Sequence, residues 1–166
     1  MRTRNFLTFA GKVTAAHMIT YFIAGAIAYP LFTKEFYIGS HPIFRVFMRT
    51  ESEPDLWGHA TTWFLPAQFL RGFLMAAALY PFFNTLMNWS FKKRFLSISG
   101  LYIVLGFWAT AVAAPGTIEG MVYMRPIFTP VVHLKVQPEI ILQGLALGAI
   151  LAFWMGPPPL ERAPGR

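Results

Sequence analysis

Cysteine is missing from the chain altogether. That excludes disulfides, thiolate metal sites and cysteine nucleophiles. Charge is scarce as well: Asp, Glu, Lys and Arg make up 13% of the residues, against about 25% in a typical soluble domain. So few charges cannot clothe a globular surface, and lipid in place of water over much of that surface accounts for the shortfall. Acid is scarcer than base, with seven Asp and Glu against 14 Lys and Arg. In a soluble protein the resulting net charge of +7 would point to nucleic acid. Here the basic residues stand in short clusters beside apolar runs, which fits membrane topology signals and implies no nucleic-acid partner. No phosphate-binding loop, nucleophile elbow or H-E-x-x-H helix occurs, so the common signatures of soluble enzymes are absent. No internal repeat is visible either.

What is present is apolar. Of the 166 residues, 55% are hydrophobic and 17% aromatic, and the mean hydropathy is +0.48. A helix needs about 20 apolar residues to cross the hydrocarbon core. Four segments meet or approach that length: Val13–Phe32, Leu56–Leu86, Phe95–Ala114 and Pro138–Met155. The second is long enough to tilt or project, and Pro66 inside it removes a backbone hydrogen bond, which predicts a kink. Gln137-Pro138-Glu139 suits a helix start, with proline in the first turn and the acid at the positive end of the dipole. Gly156-Pro157-Pro158-Pro159 stops that helix, and residues 157–166 form a short tail. Trp57, Trp63, Trp89, Trp108 and Trp154 fall mostly near span ends, as interfacial belts require.

Charge orients the spans. Arg2, Arg4, Lys12, Lys92, Lys93, Arg94, Arg162 and Arg166 are eight basic residues in the segments on one side, with Glu161 the only acid there. The opposite loops mix Lys34, Arg45, Arg49, Arg125 and Lys135 with Glu35, Glu51, Glu53, Asp55, Glu119 and Glu139. Basic residues mark the cytoplasmic side. The expectation is an all-α, multi-pass protein of the inner, cytoplasmic membrane: one four-helix bundle over residues 1–156, with both ends inside. The start, with Arg2, Arg4 and Ala26-Ile27-Ala28, superficially resembles a secretory signal, but Lys12, His17 and Thr20 make a poor signal core. The outer loops are too short to be separate domains.

Arg71 is the most informative residue. It lies near the middle of the second predicted span, where an arginine costs about 2.5–3.5 kcal/mol on insertion scales. It should face the bundle interior and find a partner. Gln68 shares its face one turn earlier, and Glu139 and Glu119 are the acidic candidates. Glu139 and Gln143, four apart, also share a face. The segment Pro115–Met124 is too apolar for an ordinary exposed loop, so it is expected to be partly embedded, which would carry Glu119 towards Arg71. His17, Thr20, Tyr21, Ala24 and Ala28 form a stripe on the first span. His41, His59 and His133 map to the outer side among carboxylates and are weak zinc candidates, since no compact ligand spacing supports them. Gly144, Gly148 and Ala152 repeat every fourth residue, a small-residue stripe that lets helix backbones approach closely. An internal contact is the simpler reading of that stripe. A conducting pathway would need more wall than four helices supply, hence a homo-oligomer or partner subunits.

Three segments, His17–Gly25, Pro66–Gly72 and Ala114–Tyr123, resemble those of small four-span bacterial membrane proteins with no assigned activity. The resemblance covers most of the chain, implies the four-span fold and supplies no activity, cofactor or ligand. It places His17, Arg71 and Glu119 in the most distinctive segments. The leading expectation is therefore a non-enzymatic membrane protein. Arg71, Gln68, Glu119, Glu139 and Gln143 would line a polar pocket in its outer half, binding or transporting a small polar or anionic solute. Two other classes stay open: an accessory or scaffold subunit of a larger membrane complex, and a membrane-embedded metal-dependent enzyme.

Overall fold

The computed structural model describes residues 2–40 and 42–156, and it is helical, with no strand among the described residues. The helices are α1 (Arg2–Ala28), α2 (Lys34–Tyr37), α3 (Pro54–Leu79), α4 (Phe83–Asn88), α5 (Phe91–Gly100), α6 (Ile118–Tyr123), α7 (Pro130–Lys135) and α8 (Gln137–Trp154). Wide π-helical turns extend α1 over Tyr29–Thr33 and α5 over Leu101–Trp108. Three helical runs are long and apolar enough to cross a membrane: Phe6–Tyr37, Pro54–Asn88 and Pro130–Trp154. The first two contain an expected span and overshoot it at both ends, and the third starts before Pro138 and stops at Trp154, one residue short of Met155.

The remaining expected span, Phe95–Ala114, differs. Its helix starts at Phe91 and ends at Trp108, so residues 109–114 lie outside it. It starts early because Ser90 caps it, accepting from the Lys93 N–H, which draws Lys92, Lys93 and Arg94 into its first turn. Those charges shorten its uninterrupted apolar length. The second expected span continues as helix through Pro66, and a short 3₁₀ turn, Tyr80–Phe82, joins α3 to α4 around Pro81. At the far end Pro138 sits in the first turn of α8 and Gly156 closes it with φ +74°, the left-handed conformation that glycine adopts without strain. Pro157–Pro159, Arg162, Arg166 and His41 lie outside the described residues.

Side-chain meetings fix the packing. Gly72 of α3 lies against Thr14 of α1, where an added Cβ would stand 2.8 Å from the Thr14 Cα. Tyr21 packs on Phe64, and Phe9 on Tyr80 and Phe83. Ascending α1 thus meets descending α3, so the pair is antiparallel. Gly148 and Gly144 of α8 abut Ser99 and Ile103, so α8 and α5 are antiparallel too, and the small-residue stripe is filled from within the chain. Helix α1 also packs along α8, which gives the lateral order α3, α1, α8, α5. The core at their junction contains Phe9, Val13, Ala76, Ile98, Leu147 and Leu151. Outward faces are just as apolar: Ile19 and Ile23 on α1, Phe69 and Leu74 on α3, and Leu145 and Phe153 on α8 are exposed. Helices apolar all round belong in lipid.

The connection before α3 and the one before α8, the latter expected to be partly embedded, fold together. Phe36, Phe44, Phe128 and Val132 form a second apolar cluster, knit by edge-on and tilted aromatic contacts among Phe36, Tyr37, Phe44, Phe47 and Phe128. Ion pairs Lys135–Glu35 and Arg45–Glu53 lie around it. This small cap sits at the end of the bundle that carries the start of α8.

Candidate functional site

Two features organise the bundle's polar groups: a seam of buried polar side chains between α1 and its neighbours, and a cleft between α3 and the segment Leu101–Trp108. The seam begins with His17, which is completely buried and whose Nε2 is 3.1 Å from Gln68 Oε1 on α3. Thr20, also buried, returns its hydroxyl to the Ala16 carbonyl at 2.8 Å. Ala24 and Ala28 complete this buried stripe on α1. Gln143 of α8 is 2% exposed. His17 Nδ1 and Gln143 Nε2 have no hydrogen-bond partner among the described residues. A buried polar atom left so costs about 1–3 kcal/mol, and such atoms mark places where a water or ligand belongs.

Glu139 lies one turn before Gln143 on α8. Its Oε1 lies beside Gly25 of α1, at an ordinary contact distance of 3.8 Å from where a Cβ would stand. Its charge acts on Tyr21, Tyr37 and Tyr102. Arg71 acts on two of the same hydroxyls, those of Tyr21 and Tyr102, and on His17. The two charges therefore flank one group of tyrosines without touching each other.

Arg71 itself is exposed and forms no hydrogen bond or ion pair among the described residues. It lies between Gln68, paired with His17, and Gly72, set against Thr14, so it is level with the Thr14–His17 turn. Glu139 lies two turns further along, beside Gly25. Arg71 is thus not grouped with the outer acids. It opens on a cleft of about 460 Å³ between α3 and the wide-turned segment Leu101–Trp108, bordered by Met75, Leu79, Tyr102, Leu105 and Gly106. Helix turns of this wide type often mark functional positions.

Glu119 occupies the first turn of α6, which packs on α7, and it makes no hydrogen bond or ion pair among the described residues. Its loop is held by buried Thr117, whose Oγ1 accepts from the Gly120 N–H at 2.9 Å and donates to a nearby carbonyl. The Gly116 N–H donates to His133 Nδ1 at 2.9 Å, while Gln137 donates to the Gly116 carbonyl and accepts from Trp108. His133 is therefore committed to the cap, its Nδ1 lone pair occupied. His59 is exposed on α3 near Trp63. Among the described residues no group of three His, Asp or Glu could hold a metal ion.

Arg94 is the residue that sequence reasoning treated too simply. It is 1% exposed. Its Nε donates to the Trp89 carbonyl at 3.0 Å, its Nη1 to Ala152 at 3.2 Å and its Nη2 to Gly156. Lys12 reaches the Trp154 carbonyl from α1 at 3.0 Å. Two cations thus close the C-terminus of α8, where orphan carbonyls and the negative end of the dipole favour them. The signal was present in spacing: Arg94 shares a face with Ile98, four residues on, whereas Lys92 and Lys93 do not. Compared with known proteins, the chain matches no family model, no curated protein and no solved structure.

Proposed function

We propose that this chain is a multi-pass inner-membrane protein whose four antiparallel spans, with both ends cytoplasmic, present Arg71 as an intramembrane binding site for an anionic solute. The fourth span in this reading is Phe91–Trp108. Its support is its antiparallel run beside α8, the outward exposure of Leu101, Val104 and Leu105, and a basic first turn suited to the cytoplasmic boundary. The resemblance to small four-span bacterial proteins points the same way. Helix α6 rests in the outer interface, since Ile118, Met121, Val122 and Tyr123 all face outward.

One observation carries the functional reading: a guanidinium on a membrane-spanning helix opens on a cleft and pairs with no carboxylate among the described residues. An unpaired charge there is expensive to keep, and a bound anion meets its cost through charge-assisted hydrogen bonds. The His17–Gln68 contact holds the turn from which Arg71 projects, and Tyr102 adds a hydroxyl at the cleft. Glu139 and Gln143 line the seam behind.

The test is thermal unfolding in lipid nanodiscs against carboxylates and phosphates ranging from acetate to long-chain acids. At least one anion should raise the wild-type midpoint and leave Arg71→Met unmoved, because the exposed side chain is dispensable for folding. If wild type and Arg71→Met respond alike to every anion, the reading fails. An accessory-subunit role makes a different forecast: mild-detergent purification brings down stoichiometric partners, and Arg71→Met loses them.

A further inference from the structure

The cleft at Arg71 does not end there. A second cavity of about 570 Å³ shares Leu79, Phe82, Leu101 and Leu105 with it and continues to Trp89 at the turn between α4 and α5. The two are one groove between the α3–α4 arm and the Phe91–Trp108 helix. Its walls are apolar apart from Tyr102, Thr85, Ser97 and the guanidinium at one end. Beside the Trp89 end the Lys93 ammonium stands 4.4 Å from the indole ring centre.

We infer that the groove holds a single-chain amphiphilic carboxylate from the bilayer, its head on Arg71 and its hydrocarbon chain along the apolar walls. This rests on the anion-site reading and names the class of anion. Charge complementarity selects the head, since a carboxylate accepts two parallel N–H bonds from a guanidinium. Depth selects the acid. A carboxylic acid crosses hydrocarbon in its neutral form, while a phosphodiester headgroup stays charged and remains at the interface. A water-soluble solute would have no use for a groove walled by leucine and phenylalanine. A second copy in two-fold symmetry would bring two guanidiniums into one interface and supply no carboxylate from the α3 turn that carries Arg71.

The experiment uses the full chain in phosphatidylcholine nanodiscs, with oleate, oleyl alcohol and acetate as probes. Two variants separate head from tail: Arg71→Met, and Gly100→Leu. A Cβ on Gly100 meets nothing within 4 Å, so the leucine is accommodated and projects into the groove that Gly100 lines. Oleate should give a saturable rise of about 3–6 °C in the wild-type midpoint, absent in both variants. Oleyl alcohol and acetate should give none. A response to acetate equal to that for oleate, or an undiminished oleate response in Gly100→Leu, overturns the amphiphile while leaving the anion site standing. An equal response to oleyl alcohol, or an undiminished oleate response in Arg71→Met, removes the anion site as well. No response to any probe in the wild type overturns the amphiphile proposal.

Discussion

At the level of single residues, Arg94 and Arg71 are opposites. Both are arginines beside apolar helices, but one is fully enclosed and satisfied by three carbonyls while the other is exposed and unpaired. Removing Arg94 leaves the Ala152 and Gly156 carbonyls without their donor, and hydrogen bonds to charged groups contribute about 1.5–3 kcal/mol. Arg94→Met is therefore expected to lower stability by about that amount, measured by unfolding in mixed detergent micelles. Arg94→Lys should recover only part of it, because an ammonium lacks the fork that reaches Trp89, Ala152 and Gly156 together. A full recovery by lysine would mean that charge alone, not geometry, is what α8 requires. Arg71→Met is expected to cost little or nothing without ligand. The difference was only half visible in the amino-acid sequence. Arg71 stood out as an isolated charge within an apolar run, whereas Arg94 was hidden in a basic triplet whose members have separate fates: two solvated, one buried.

Elements pack here by the absence of side chains. Gly148 leaves a gap that Ser99 enters, since a Cβ there would stand 2.1 Å from its Oγ and 3.0 Å from the Phe95 carbonyl. Gly148→Ala is expected to destabilise by about 1–3 kcal/mol through overpacking. Gly100→Ala, with open space around it, should be neutral or slightly stabilising. Equal effects at both sites in a detergent-unfolding series would rule out the close approach of α5 to α8. The cap makes a second prediction of this kind. His133→Ala removes the acceptor of the buried Gly116 N–H, and protease cleavage within residues 109–129 should accelerate while the bundle stays intact. Three of the four expected spans were legible as long apolar helices, because length and apolarity are what a bilayer demands, and α8 was bounded by Pro138 and Gly156. The cap was not legible. Its core gathers Phe36 and Phe44 with Phe128, more than 80 residues away in the chain, and no periodicity in either segment announces such a meeting. Arg71, Gln68 and Gln143 stood out as polar residues within apolar runs, but the sequence did not show that Gln68 meets His17 while Arg71 borders a cleft beside Tyr102.

For the whole molecule, the missing cysteine becomes an instrument. Single cysteines at Lys92 and at Ser40, both exposed, can be labelled without background. Four spans with both ends inside predict that membrane-impermeant maleimide reaches Ser40→Cys in cells whose outer barrier is permeabilised, and Lys92→Cys only after the inner membrane is opened. Labelling of both from the same side would discard that topology. The clamp on α8 also bears on how the protein is made. Helices α1 and α5 meet chiefly through α8, which follows both in the chain, and Lys12 and Arg94 are positioned for carbonyls that do not exist until it is synthesised. Until α8 is made, Arg94 has only the Trp89 carbonyl of its three partners. The clamp therefore closes only when the last helix is in place.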